Sequence, residues 1–380
     1  MKKIGILTFS YGSNYGGTLQ CIGLFKFLRK YNFDVKVINY IKPDIYSYKS
    51  KYLSGIFIRK DFKYDLRSFN EILKKIFFKF KYVNSILNKF ELFRKNNLIM
   101  TEPGNNINEI IELSLHNDLD YIIVGSDQVW NSASEYFLNE IKNNNVKKIS
   151  YAACSGQKYE YRDNKKFLID ALKKFKAISV RNEHTQQMVQ ELINIKPSVV
   201  CDPSLLWDYK EFLQENFKKE KYILTYILGD DIHEGNEEVI KKIKEIYGDL
   251  KVIAIGIPFS RSGSLRLYKW ADEVLYDSSP EEWLNLINYA EFVYTDSYHG
   301  ILFSIKFHKQ FLGYYTEKAR APRLIDLARR YKIEENIVNT FEEAVEKKSI
   351  SNKINYEVVD ILIEEHKKYS IEFLKKALGD

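Results

Sequence analysis

The segment Thr295-Asp296-Ser297-Tyr298-His299-Gly300 places a histidine just after a short apolar run. Histidine gives or takes a proton near neutral pH, so one reading of His299 is a general acid or base. The other is a hydrogen-bonded turn residue. A second segment, Gly125-Ser126-Asp127-Gln128-Val129-Trp130-Asn131, joins a carboxylate, two amides and an indole. That set suits a carbohydrate, which takes hydrogen bonds at its rim and an apolar face beneath. It suits equally a helix cap at Ser126 or Asp127 with Trp130 turned into the core. Arg181 ends the run Ala177-Ile178-Ser179-Val180 and is placed either to grip a carboxylate or phosphate bidentately or to form a surface ion pair. Asn14-Tyr15-Gly16-Gly17 opens a helix, where glycines admit close backbone approach and the helix N-terminus favours an anion. An ordinary turn is the alternative there, and the spacing is not the GxGxxG of a dinucleotide site. Asp202-Pro203 reads as a structural corner at a domain junction. Beyond His299 come Lys306, Lys309, Lys318, Arg320, Arg323, Arg329 and Arg330, a run of cations that points to an anionic co-substrate.

Positioning these groups requires strands that end where they begin. Lys3–Thr8 reads as a strand, Thr18–Tyr31 as an amphipathic helix and Val35–Tyr40 as the next strand, a βαβ unit that implies a parallel sheet. Strands are expected at 120–124, 148–153, 177–180 and 198–201, with helices at 167–175 and 183–192. A second series begins with a strand at 222–228 and a helix at 236–247. It continues with a strand at 251–255, a helix at 281–289, strands at 292–295 and 310–314, and a helix from about Ile301. A long helix spans 356–377. The expected organisation is an N-terminal α/β domain over 1–212 with a basic helical insertion at about 42–100, a C-terminal α/β domain over 213–350, and a terminal helix in 351–380. In parallel sheets, ligand groups belong at the carboxyl ends of the strands.

The bulk properties agree with an enzyme of this build. A chain of 380 residues is long for one hydrophobic core, and 45% hydrophobic with 29% charged residues describes a globular protein. The net charge of +7 is concentrated: between Lys49 and Lys95 there are thirteen Lys or Arg against four Asp or Glu. No nucleic-acid motif accompanies this stretch, which leaves a solvated helical face or an anionic membrane surface. The three cysteines, Cys21, Cys154 and Cys201, lack metal-ligand spacing and read as buried reduced thiols. The apolar runs fall short of the roughly 18 residues that a spanning helix needs. The expected location is the cytoplasm, with peripheral contact at the inner face of the membrane as an option.

Taken together, the segments resemble the polysaccharide pyruvyl transferase family. The resemblance runs in order through Gly5-Ile6 to Gln20, Gly125 to Asn131, Ser150-Tyr151-Ala152-Ala153, Ile178 to Arg181, Asp202-Pro203-Ser204-Leu205-Leu206 and Thr295 to Gly300. It implies two Rossmann-like domains facing a cleft, the GT-B arrangement. It also implies transfer of pyruvate from phosphoenolpyruvate onto a sugar of a cell-surface glycan or its lipid-linked precursor, forming a ketal. On this basis His299 is the proton donor and Arg181, Lys318, Arg323 and Ser297 lie on the donor side. Ser297 is a departure, since some members carry an arginine there. Asn14, Tyr15, Asp127, Gln128 and Trp130 fall on the acceptor side. The resemblance calls for no metal and no cofactor, phosphoenolpyruvate being a co-substrate. A GT-B glycosyltransferase using a nucleotide sugar is the competing reading.

Overall fold

Two six-stranded parallel sheets, each flanked by helices, carry the chain in a computed structural model. It describes residues 1–41, 77–131, 134–141, 145–156, 164–218, 220–257, 266, 268–316 and 321–379. The first sheet comprises β1 (Lys3–Leu7), β2 (Asp34–Val37), β3 (Tyr121–Val124), β4 (Lys147–Ala153), β5 (Ala177–Val180) and β6 (Ser198–Val199), in the order β2-β1-β3-β4-β5-β6. The second comprises β7 (Tyr222–Tyr226), β8 (Lys251–Ile255), β9 (Glu273–Leu275), β10 (Phe292–Thr295), β11 (Gln310–Tyr314) and β12 (Ile337–Val338). Its order is β12-β11-β10-β7-β8-β9, so the strand sequence reverses between β7 and β10. Strands such as β3 and β10 are buried at every position, which is why they read as unbroken apolar runs with no polar alternation.

The helices are α1 (Tyr15–Lys30), α2 (Asn84–Asn97), α3 (Ile107–His116), α4 (Lys165–Leu172), α5 (Glu183–Ile193), α6 (Asn236–Tyr247), α7 (Pro280–Tyr289), α8 (Tyr298–Lys306), α9 (Ala321–Tyr331), α10 (Phe341–Glu346) and α11 (Tyr356–Leu378). Two of them, α1 and α8, begin about three residues earlier than the sequence pattern predicts. Helix α1 starts at Tyr15 because Asn14 caps it, its side chain accepting from the Gly17 amide at 3.1 Å. Helix α8 starts at Tyr298 because Ser297 accepts from the Gly300 amide at 3.2 Å. Gly16 and His299 therefore lie in first helical turns, where side-chain positions are fixed. Five elements escape the sequence reading: β9, β12, α3, α9 and α10.

One apolar core runs through both halves. It takes Leu19, Ile22 and Phe25 of α1 together with Trp283 of α7 and Leu302 and Phe303 of α8. The Tyr15 ring stacks on Trp283 with centroids 5.4 Å apart, and its hydroxyl donates to the Ser278 carbonyl at 2.7 Å. Helix α11 then returns to the first sheet. Its Ser370 hydroxyl accepts from the Cys201 amide at 2.8 Å, and His366 Nε2 lies 3.1 Å from the Val199 carbonyl. Lys2, Tyr121 and Lys176 donate to carbonyls of its last turn.

The basic region is described only from residue 77 onward; 42–76 lie outside the described residues. What is described of α2 is docked. Arg94 is buried and donates to the Gly12 carbonyl at 2.7 Å, Ser85 to Asp277 at 2.6 Å, and Lys89 pairs with Glu282 at 3.3 Å. The cysteines are free and buried; burial pushes the Cys21 thiol up to about 12 and the Cys201 thiol up to about 11, which keeps both as inert thiols. Among the described residues no helix is long and apolar enough to cross a membrane.

Candidate active site

Four strand ends of the first sheet and one of the second converge at the face between the sheets. Asp127 follows β3, Arg181 follows β5, Asp202 follows β6, Gly16 stands in α1 behind β1, and His299 stands in α8 behind β10. The strand ends are distorted to achieve this. Asp127 has φ of 72° and Ala152 φ of 53°, and the β4–β5 register shifts between Ser150 and Ala153. Such left-handed positions in non-glycine residues cost about 1–3 kcal/mol each and persist where the surroundings over-determine them. Here the amide of Arg181 bonds the Ala153 carbonyl at 3.1 Å, and that of Cys154 bonds the Asp127 carbonyl at 3.1 Å. The bulge thereby ties three strand ends into one rim.

Asp202 is the hub. Its Oδ2 accepts from Arg181 Nη1 at 2.8 Å and from the Ser126 hydroxyl at 3.2 Å, and lies 3.5 Å from His299 Nε2. Its Oδ1 accepts from the Ser204 amide at 2.9 Å, capping the short turn Pro203–Leu205. Burial alone would raise this carboxyl, but the His299 imidazole and the Arg181 guanidinium outweigh it and hold it well below the usual carboxylate range. For Arg181, burial works against the charge; Cys154, Tyr298, Asp202 and Asp127 reverse that and raise the guanidinium above its ordinary value. Arg181 is 3% exposed, with Tyr298 stacked on it at 4.3 Å and Asp127 Oδ1 3.7 Å from Nη2. Its Nε and Nη2, and Nε2 of His299, are buried and make no hydrogen bond. Buried donors left unmet are rare and costly, and they mark a place that an acceptor fills.

His299 itself is 8% exposed and packs on the glycine of the other half. A Cβ on Gly16 would lie 2.0 Å from His299 Nδ1, so no residue with a side chain fits beneath the ring. Gly16→Ala is therefore expected to lower stability by about 1–3 kcal/mol through overpacking and to push the imidazole off Asp202. Thermal unfolding and turnover of the variant check this; native values for both would mean that the ring is not held here. The loop after β7 is locked to the His299 segment as well: Asp296 accepts from the amides of Leu228 and Gly229, each at 2.6 Å. These two loops flank the reversal point of the second sheet, where ligands of open α/β sheets bind.

The structure brings His299 and Arg181 together with Asp202 and Gly16, and it sets Asp127, expected on the acceptor side, 3.7 Å from the Arg181 guanidinium. Other expected contacts are spent elsewhere. Trp130 is fully buried, stacked on Phe137 with its Nε1 donating to the Tyr136 carbonyl, so a sugar has no access to its face. Tyr15 is buried against Trp283 with its hydroxyl engaged. Ser297 and Asn14 are helix caps, Ser297 buried and Asn14 exposed. Gln128 is half-buried, and its side-chain carbonyl accepts from Asn131 at 3.3 Å. Arg323 sits half-buried in the first turn of α9. Of the more distal cations, Arg329 pairs with Glu183 and Arg330 with Asp326. Lys318 and Arg320 lie outside the described residues. Among the described residues no cluster of three or more His, Cys, Asp or Glu could hold a metal ion. Asp202 was foreseeable only as a strand-end carboxylate before a proline; its partner His299 is too remote in sequence for spacing to reveal.

A family model described as polysaccharide pyruvyl transferase matches residues 14–318. No curated protein matches the sequence. Solved structures share the fold at low identity. S. aureus MnaA in a co-structure with UDP is 13% identical with a TM-score of 0.54, the match covering 100% of this chain and 97% of that one. UDP-GlcNAc 2-epimerase from Methanocaldococcus jannaschii is 15% identical with a TM-score of 0.52, covering 93% of each. Arabidopsis thaliana UGT89C1 complexed with UDP-L-rhamnose is 9% identical with a TM-score of 0.54, covering 99% of this chain and 98% of that one. The common ground is the GT-B arrangement of two parallel-sheet domains.

Proposed function

This chain belongs to the polysaccharide pyruvyl transferase family, and on that premise we propose that it moves pyruvate from phosphoenolpyruvate onto two hydroxyls of one sugar, forming a cyclic ketal. The observation that carries the reading is the pair of buried, unmet donors of Arg181, Nε and Nη2, at the face between the two sheets, with His299 close by on the shared Asp202. An anionic donor supplies the acceptors those groups lack, and a histidine beside it supplies a proton.

The chemistry balances as follows. His299 gives a proton to the methylene carbon of phosphoenolpyruvate, which becomes a methyl group. The adjacent carbon turns cationic and takes an oxygen from the first sugar hydroxyl, whose proton is released. The carbon–oxygen bond to phosphate then breaks, and the second hydroxyl closes the ring with loss of its own proton. One released proton restores His299 and the other leaves with inorganic phosphate. Arg181 offsets the charge of the donor as it shifts toward the leaving group. The acceptor we assign to a sugar of a cell-surface glycan or its lipid-linked precursor, met in the cytoplasm or at the inner face of the membrane.

The test is phosphate release from phosphoenolpyruvate by the full chain with a panel of acceptor glycans, paired with NMR detection of the new ketal methyl group. Release that depends on acceptor is the expected result. Consumption of nucleotide sugars with phosphoenolpyruvate left intact would replace this reading with glycosyl transfer.

A further inference from the structure

We propose that Asp202 is the positioning residue of His299: it fixes the imidazole with Nε2–H toward its own carboxylate and leaves Nδ1 as the proton-giving nitrogen. The inference rests on the reading of His299 as a proton donor.

The surroundings of the ring work against a proton. His299 lies in the first turn of α8, and its Nδ1 lies over Gly16 in the first turn of α1. Two helix N-termini thus present their positive ends to one imidazole, an arrangement that favours the neutral ring. Arg181 adds a full positive charge, held on the same carboxylate oxygen that faces Nε2. The remaining neighbours bring no compensating anion. Tyr298 of its own helix contacts the ring at 5.2 Å, and its phenol is pushed above its ordinary range by burial. Tyr15 of α1 spends its hydroxyl on Ser278. Asp127 lies beyond Arg181, 3.7 Å from Nη2. Among the described residues, Asp202 is the carboxylate within ion-pair distance of the ring, at 3.5 Å. A general acid has to be protonated before it can act, and Asp202 supplies the charge that opposes both helix ends and Arg181.

The contact also assigns the nitrogens. Nε2 is sealed from solvent and faces Oδ2 of Asp202, while Nδ1 faces the Gly16 side. The 3.5 Å separation is long for a hydrogen bond and is of the kind that tightens when a site fills.

The experiment is histidine-selective ¹⁵N and ¹³C NMR on the full chain without donor or acceptor, so its outcome is independent of whether pyruvate is transferred. In the wild type the neutral form of His299 is expected as the Nε2–H tautomer. In Asp202→Asn, which retains an oxygen for Arg181, the preference for that tautomer is expected to be lost. A Nδ1–H tautomer in the wild type, or an unchanged Nε2–H preference in a folded Asp202→Asn, overturns the assignment. Should Asp202→Asn not fold, the wild-type tautomer alone decides.

Discussion

Replacing His299 with alanine is expected to lower kcat by about 10²–10⁴-fold, the usual cost of removing a positioned proton donor, while the chain stays folded. The structural grounds for survival are specific. His299 stands in the first turn of a helix that Ser297 caps, and alanine is a good helix former there. The Asp202 carboxylate loses one partner but is still held by Arg181 at 2.8 Å. What is lost is the proton source: the cleft retains the buried guanidinium but nothing to convert the donor's methylene into a methyl group. Phosphate release read beside a calorimetric melt separates the two effects. A folded variant that turns over normally would remove His299 from the chemistry and leave it a packing residue over Gly16.

The second large effect is expected from Arg181→Ala, and it falls on stability as well as on donor affinity. The guanidinium sits between two carboxylates, Asp202 at 2.8 Å and Asp127 at 3.7 Å, in a site that solvent barely reaches. Removing one partner of a buried ion pair typically costs about 3–5 kcal/mol, because the remaining charge is stranded. The cost has a pH signature. The folded-state value of Asp202 is depressed, so its stabilising contribution is complete above the unfolded value of 3.8 and is lost as pH falls through the folded one. In the variant that carboxyl keeps the His299 imidazole but loses the guanidinium, so its folded value rises from that of the wild type and the stability gap narrows in acid. Urea unfolding at neutral and acid pH checks both parts. Native stability at neutral pH with an unchanged donor KM would show that Arg181 neither holds the rim nor meets the donor.

Much of this architecture can be read from the chain. The strands at 177–180, 251–255, 292–295 and 310–314 fall where the apolar runs lie, because parallel strands buried on both faces leave continuous hydrophobic text. Strand β9 is three half-buried residues, Glu273–Leu275, and β12 is two; neither is long enough to show a period. Helix α9 buries Leu324, Leu327, Ala328 and Tyr331 at helical spacing, a short apolar stripe broken up by the charged residues between them. The site was legible in part. His299, Arg181 and Asp127 stand at strand ends, where polar residues after apolar runs attract notice. Asp202 did too, but its meaning depends on contacts with residues from two other strand ends. Trp130 shows the converse limit, since an indole after a buried strand fits a sugar platform and a core filler equally well until its neighbours are known.

Helix α11 has a bearing on how the chain is made. The residues that cover the edge of the first sheet beside β6 are 356–378, and they are synthesised only after the whole second domain. On the ribosome the first domain must therefore wait with that edge and the carbonyl-binding groups of Lys2, Tyr121 and Lys176 unsealed. Completion of one domain is thus delayed until its neighbour exists.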